Sequence, residues 1–216
     1  MSPADVSIRN LTGDWTVDKS KSNNLDAVLK LQGIGWLRRK AVTSGTITLK
    51  INQHTDGATD GSSSGEAVTQ LMMQQGLRGI FPGVEQTRAL NWTEHEHVDA
   101  VSGDPIKVRS RFVSAVRTGD GKVRPVLEVE TTGDKSSVED HLGSAVVPAG
   151  EDGTGETIEK AFVQDLIVSG GKEEWTSEQI WAVEKIGDEV ILSCKAVAAK
   201  GDSSEKAVLA YKFGDI

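Results

Sequence analysis

The sequence predicts an all-β protein, an antiparallel barrel or sandwich of about nine strands with short helices near its N-terminus. Apolar and polar residues alternate with a period of two over most of the 216 residues, as in half-buried strands. Turn signals such as Gly187-Asp188 and Lys200-Gly201-Asp202 separate the alternating runs. The length suits one large all-β domain, and no linker divides residues 1–216 into two.

The predicted strands follow one another with mostly short connections. The first covers Leu11–Asp18 and the second Thr46–Ile51. The others run over Glu85–Val98, Lys107–Val116, Val123–Glu130, Glu156–Val168, Trp175–Lys185, Glu189–Ala199 and Ala207–Phe213. Residues 134–155 are polar and glycine-rich, which predicts a long loop.

Helical patterns are confined to the first part of the chain. Ser22-Asn23-Asn24 is a candidate cap for a short helix over Leu25–Leu31, and Trp36–Val42 is a second candidate. An inserted helix is predicted for Glu66–Gln75, within a segment, Gly57–Val84, that is either a lid or a surface loop.

The composition excludes several classes of protein. A net charge of −8 argues against a general nucleic-acid binder, and the single Cys194 is expected to be a buried strand residue. We find no signal peptide and no apolar run of about 18 residues, so we expect a cytoplasmic protein without a membrane partner. The sequence has no Ser-His-Asp signature, P-loop or dinucleotide fingerprint, and we expect no cofactor.

Gly13-Asp14-Trp15, near the start of the first strand, has the Gly-x-Trp pattern of lipocalins and related calycins. Glycine lets the strand bend as it enters a barrel, and tryptophan closes the barrel floor with its N–H near a backbone acceptor. In that family a basic residue of the last strand often stacks on the tryptophan, and Lys206 and Lys212 are the candidates. The resemblance implies a lipocalin-like antiparallel barrel.

Longer segments resemble a group of fungal lipocalin-like proteins. They are Leu11–Trp15, Leu29–Ala41, Arg88–His97, Lys107–Arg111 and Trp175–Trp181, and together they span most of the chain. Some members of the group are similar to the hetero-Diels–Alderases of eupenifeldin-type, tropolone-sesquiterpenoid biosynthesis. Those enzymes add a tropolone o-quinone methide across an alkene of a humulene-type terpene.

The resemblance implies a pericyclase of fungal secondary metabolism that acts on small hydrophobic substrates. Two alternatives stay open. One is a non-catalytic carrier of small hydrophobic molecules. The other is a protein whose barrel is filled by its own side chains. A homodimer that forms through barrel faces is also open.

Two of the predicted strands meet at the Ser102-Gly103-Asp104 turn and place charges opposite one another. The expected register pairs residues on one face: Glu94 with Arg111, Glu96 with Arg109, and Trp92 with Val113. That face is either a pocket with an apolar end and a polar mouth or a solvated ladder of ion pairs. His95 and His97 share the opposite face, and because a zinc site needs a third ligand we expect no metal.

A cycloaddition needs two reactants in a near-attack pose and a donor for the oxygen that gains negative charge. The candidate donors are Lys107, Arg109, Arg111 and Gln179. Glu94 and His97 are candidates for the acid–base step that forms a quinone methide by loss of water.

An apolar wall is expected to hold the terpene. Its candidate residues, which with Lys107 make up the substrate-binding set, are Trp36, Met72, Met73, Trp92, Trp175 and Trp181. Trp175 and Trp181 differ by an even number and should share a strand face with Ser177 and Gln179. The two methionines are interpreted as either a lid or packing on the barrel rim.

Overall fold

The computed structural model describes residues 6–56, 67–131, 134–150 and 155–214. Within them, 11 strands form one curled antiparallel sheet and three helices flank it. The strands are β1 Gly13–Val17, β2 Ile47–Thr55, β3 Thr69–Leu77, β4 Phe81–Ala89, β5 His95–Val98, β6 Pro105–Arg117, β7 Val123–Pro125, β8 Thr157–Ser169, β9 Thr176–Ile186, β10 Glu189–Lys200 and β11 Ser203–Phe213. The helices are α1 Leu25–Leu31, α2 Trp36–Ser44 and α3 Lys135–Leu142.

The strand order is β4-β3-β2-β1-β11-β10-β9-β8-β6-β5, with β7 added against β6. Contacts of β4 with β5 and β6 bring the two ends of the sheet together at a seam. The predicted all-β antiparallel barrel is therefore confirmed. The sheet has two more strands than predicted, because β3 lies where a helix was expected and Glu85–Val98 divides between β4 and β5.

Two apolar layers lie on opposite faces of the sheet. The concave layer includes Trp15, Leu49 and Tyr211, all of which are buried. A second layer lies on the convex face, where α3 packs on β10 and its Val138 and Leu142 join buried residues of β6, β8 and β9 in one cluster. The middle of β8 to β10 is therefore buried on both faces, and its alternation is weaker than that of β2.

The floor of the barrel confirms one part of the Gly-x-Trp interpretation. Trp15 is fully buried and its Nε1–H donates to the carbonyl of Leu11 at 3.0 Å. Gly13 has a φ of 141°, and a Cβ there would lie 2.5 Å from the ring of Phe213. The same phenylalanine packs edge-on against Trp15, with 5.1 Å between ring centroids.

The expected lysine stack on this tryptophan is wrong. Lys212 forms ion pairs with Asp18 at 3.1 Å and Glu189 at 3.0 Å, and Lys206 donates to the carbonyl of Ser137 at 2.6 Å. Both ammonium groups find anionic or carbonyl oxygens outside the barrel, where hydration of the charge is retained.

The two N-terminal helices lie where they were predicted and cover one end of the barrel. Helix α1 packs on β10 and β11 and buries Val28 and Leu29. The cap differs from the expectation, because the side chain of Asn24 donates to the carbonyl of Lys206 at 2.7 Å and does not cap the helix. No helix in the described ranges is both long and apolar enough to cross a bilayer.

The inserted helix predicted for Glu66–Gln75 is wrong, because Thr69–Leu77 is strand β3. It pairs with β2 along its whole length and with β4, and Thr69, Leu71 and Met73 are its buried alternate residues. The helix-favouring composition of Leu, Met and Gln is overridden by this pairing with distant strands. The lid or loop expected at Gly57–Val84 is thus a wall hairpin from Thr69 onward, and residues 57–66 lie outside the described residues.

The long loop predicted for 134–155 is also wrong in part, because residues 135–142 form helix α3. The Asp134 carboxylate caps this helix by accepting from the N–H of Ser137 at 3.3 Å. Val138 and Leu142 are one helical turn apart and fully buried, so two apolar residues suffice to dock it.

Candidate functional site

The concave side of the sheet encloses a cavity of about 510 Å³ beneath α1 and α2. This volume lies within the range of about 300–1,000 Å³ that is usual for small-molecule sites. Most of its wall is apolar and comes from strands across the barrel, including Leu49, Met73, Ile106, Ile167 and Leu209. A cavity of this size does not support the alternative of a barrel filled by its own side chains.

The mouth of the cavity is closed on one side by the turn between β5 and β6. Arg38, on α2, donates to the carbonyl of Val101 at 3.2 Å and to that of Ser102 at 2.8 Å. The Asp99 carboxylate accepts from the N–H groups of the same two residues at 3.0 and 2.6 Å. The turn is therefore fixed from both sides, and Arg38, Asp99 and the turn itself line the cavity.

One face of β9 contributes Ser177, Gln179 and Trp181 to the cavity wall, and Trp175, directly before the strand, lines it as well. The even spacing of these residues predicted that they share a face. Each is buried or half-buried, and Gln179 accepts from the thiol of Cys194 at 3.8 Å. A strip of two indole rings with two hydrogen-bonding groups between them thus runs from the mouth into the barrel.

A buried ion pair forms the polar end of the cavity. Asp165 is fully buried on β8 and accepts from Ser110 Oγ at 2.5 Å and from Trp181 Nε1 at 2.8 Å. Its main partner is Arg88, which lines the cavity and also donates to Gln86 Oε1 at 3.0 Å. The positive charge in the cavity wall is therefore compensated from behind by a carboxylate.

Hydrogen-bond donors without partners belong to the same cavity wall as this ion pair. Within the described residues, Arg88 Nε, Tyr211 Oη and Ser177 Oγ are buried and have no hydrogen-bond partner. Burial raises the pKa of the Tyr211 phenol far above its usual range, and it raises the pKa of the Cys194 thiol well above its ordinary value. Both groups stay protonated at neutral pH, so this end of the cavity offers donors rather than anions. We call Arg88, Asp165, Ser177 and Tyr211 the polar cluster.

The register expected for the strands at the Ser102-Gly103-Asp104 turn is wrong. Strand β5 pairs Glu96 with Lys107, two residues away from the expected partner. The chain leaves the sheet between residues 90 and 94, where Trp92 has a φ of 65° and its N–H donates to the carbonyl of Ser110 at 2.8 Å. This break removes the continuous strand on which the expected register depended.

The charged candidate residues of β6 and of the segment before β5 lie on the convex side of the barrel, and they do not line the cavity. Glu94 pairs with Lys107 at 2.9 Å, and both side chains are nearly half exposed. Arg109 pairs with Glu130 at 3.1 Å, and Arg111 donates to Gln164 Oε1 at 2.8 Å. Both guanidinium groups also lie over the ring of Trp92, at 5.4 and 4.2 Å, so this tryptophan belongs to the same outer cluster.

The remaining candidates divide between the two sides of the wall. Met73 lines the cavity, whereas its neighbour Met72 is on the outer face of β3. Trp36 is the first residue of α2 and is 64% exposed. His97 lies at the seam, where its ring bonds to the backbone of Thr87.

The sequence did not single out Arg88, Asp165 and Tyr211. Asp165 carries a signal, because it is the one ionisable residue in the apolar run from Ala161 to Val168. A carboxylate in such a strand requires a buried partner. No group of three or more His, Cys, Asp or Glu side chains in the described part of the chain is arranged to hold a metal.

No family model matches this chain. A curated relative, the pericyclase pydY from Acremonium sp, is 26% identical over 113 residues, which are 52% of this chain and 57% of the relative. The match thus spans a little over half of the relative's length.

Alignments with solved structures cover almost the whole chain. Apo lipid binding protein 8 of Caenorhabditis elegans aligns over 97% of this chain and 99% of its own, with a TM-score of 0.52 and 13% identity. Fatty-acid-binding protein 1 of Echinococcus granulosus aligns over 95% and 98%, with a TM-score of 0.48 and 11% identity. The alignment with the Caenorhabditis elegans protein shows that the two chains share a fold.

Proposed function

We propose that this chain is a pericyclase that holds hydrophobic reactants in the barrel and directs a cycloaddition without a cofactor. The observation that carries the proposal is a cluster of buried donors in the wall of an otherwise apolar cavity. The similarity to pericyclase pydY over half the chain supports the same reaction class.

Most of the catalysis would come from orientation. Met73, Trp175 and Trp181 offer broad apolar surfaces to a hydrocarbon reactant. Fixing two reactants in a near-attack pose is worth up to about 7–11 kcal/mol of the barrier. No proton has to move in such a reaction, which suits a wall without a paired acid and base among the described residues.

The polar cluster would act on the reactant that carries oxygen. For the reaction expected from the sequence resemblance, a tropolone o-quinone methide is the heterodiene and an alkene of a humulene-type sesquiterpene is its partner. One C–C and one C–O bond form while three π bonds become one, and no atom leaves. A hydrogen bond from Tyr211 or Arg88 Nε to the heterodiene oxygen would stabilise the negative charge that develops there.

The structure narrows the residues that we propose for this reaction. Gln179, Met73, Trp175 and Trp181 remain, because they line the cavity. Glu94 and His97, which we expected to promote dehydration to the quinone methide, do not line it. The proposal therefore covers the cycloaddition alone.

The test is to mix the purified chain with a quinone-methide precursor and humulene and to resolve the adducts by chiral chromatography with mass detection. We expect faster formation and one dominant stereoisomer. Met73→Trp should abolish both effects by filling the cavity, and Met72→Trp, on the outer face of the same strand, should retain them. A rate and an isomer ratio identical to those in buffer would exclude the proposed reaction.

A non-catalytic carrier is the second candidate. The observation that favours it is the same cavity wall, whose charged side chains in the described ranges are Arg38, Arg88 and Asp99. A carrier needs only such an apolar cavity with an anchor for one polar group. Tight binding of sesquiterpenes without any change in reaction rate or stereochemistry would assign this function.

A further inference from the structure

We propose that the cavity selects ligands with a neutral oxygen acceptor, such as a ketone, ester or quinone-type carbonyl, on a hydrocarbon body, and that it discriminates against carboxylates. The inference rests on the proposed function only in assigning that acceptor to a reactant, because the selectivity itself follows from the charges around the cavity.

Arg88 already has a compensating negative charge in the protein. A lone guanidinium in an apolar wall would attract a ligand carboxylate, but this one already pairs with the fully buried Asp165. A second carboxylate at the same guanidinium would lie close to Asp165, and like charges in a poorly solvated site repel each other strongly. The anionic site is thus already taken by the protein.

The other described charges near the cavity also balance one another. Arg38 and Asp99 lie together at the mouth and contribute one charge of each sign. Burial, followed by the charges of Arg88 and His95, lowers the pKa of His97, so its imidazole is uncharged at neutral pH. The described groups around the cavity therefore sum to no net positive charge that could offset the desolvation of an anion.

The unpartnered atoms of the polar cluster are hydrogen-bond donors. Tyr211 Oη and Ser177 Oγ are hydroxyl groups, and Arg88 Nε is an obligatory N–H donor. A carbonyl oxygen accepts from such donors and loses far less hydration than a carboxylate does when it is buried. The polar cluster matches a neutral acceptor in both charge and hydrogen bonding.

The test compares three probes with one hydrocarbon skeleton: methyl farnesoate, farnesoic acid and farnesene. At pH 8 farnesoic acid is ionised, because an ordinary carboxyl has a pKa of about 4. Binding is followed by quenching of tryptophan fluorescence, since Trp175 and Trp181 line the cavity, and is repeated by calorimetry. We expect the ester to bind at least fivefold more tightly than the acid. A smaller ratio, a preference for the acid, or no binding of either would overturn the inference.

Two variants locate the cause. Asp165→Asn removes the compensating charge and should raise the acid-to-ester affinity ratio at least fivefold. Tyr211→Phe should weaken the ester at least threefold and leave farnesene unchanged.

The matched control is Glu178→Gln. Glu178 is another fully buried carboxylate, but it lies on the convex face, where it accepts from the backbone N–H groups of Glu130 and Thr131. Its variant should leave the ratio unchanged. Because buried substitutions can unfold the chain, each variant is first checked by near-UV circular dichroism, and the wild-type ratio decides the inference whether or not a variant folds.

Failure of the neutral-acceptor inference and failure of the proposed function give different results. A preference for the acid together with stereoselective turnover would overturn the neutral-acceptor inference alone. A preference for the ester without turnover would retain the inference and reject the pericyclase.

Discussion

Replacing Arg88 with methionine should destabilise the fold by about 3–5 kcal/mol, because it leaves a buried carboxylate without its cationic partner. Asp165 is 0% and Arg88 8% exposed, so the carboxylate would be left charged in a poorly solvated site. Ser110 and Trp181 continue to donate to the carboxylate, but both are neutral groups. Against a typical total of about 5–15 kcal/mol for a folded domain, the expected loss is large.

Urea unfolding at pH 7, followed by tryptophan fluorescence, measures this loss as a shift of the midpoint at constant slope. Arg109→Met is the matched control, since Arg109 pairs with Glu130 at 3.1 Å with side chains 31% and 42% exposed. Its loss should stay below about 1 kcal/mol. The double variant Arg88→Met with Asp165→Leu should recover most of the stability, because it removes the orphaned charge. Equal losses for the two arginine variants would refute the reasoning.

Three further predictions concern the barrel floor and two titrating groups. Gly13→Ala should cost about 1–3 kcal/mol, because φ is positive and the new Cβ would clash with Phe213, whereas Gly35→Ala, in open space, should leave Tm unchanged. Hydrogen bonds from Ser20, Lys21 and Lys212 hold the pKa of Asp18 far below its ordinary 3.8, so its stabilisation is complete above that value and is lost as pH falls below it. As the pH is lowered, the Tm of Asp18→Asn should therefore fall less than the Tm of the wild-type protein. The pKa of His97 is lowered from 6.5, mainly by burial, so its contribution is present above 6.5 and is lost on acidification. His97→Gln should flatten the Tm profile between about pH 7 and 5, and an unchanged profile would contradict the assignment.

Strand alternation predicted the fold well wherever one face of a strand is buried. It placed Trp175, Gln179 and Trp181 on one face without any knowledge of their partners, because parity along a strand is a local property. It failed at β3, whose strand conformation depends on pairing with β2 and β4, and helix propensity dominated the local signal.

The site was less predictable, because its chemistry depends on register between strands that are distant in sequence. The pair of Arg88 and Asp165 joins β4 to β8 across the barrel, and no local pattern brings those two residues together. The expected register of β5 and β6 was wrong by two residues, since the break at Trp92 has no glycine or proline to announce it. The charges of β5 and β6 therefore lie on the convex face, and the buried pair lies elsewhere in the barrel.

The cavity itself is the consequence of small residues at inward positions of the last strands. Cys194, Ala196 and Ala207 line it, and all three are buried, whereas the larger Leu192, the preceding inward residue of β10, does not line it. Interiors are packed to nearly constant density, so an inward strip of small side chains either draws the opposite wall closer or leaves space. Here the curled sheet keeps its opposite walls apart, and space remains. The size of the side chains that point into the barrel, and not their hydrophobicity alone, therefore distinguishes a ligand-binding barrel from a filled one.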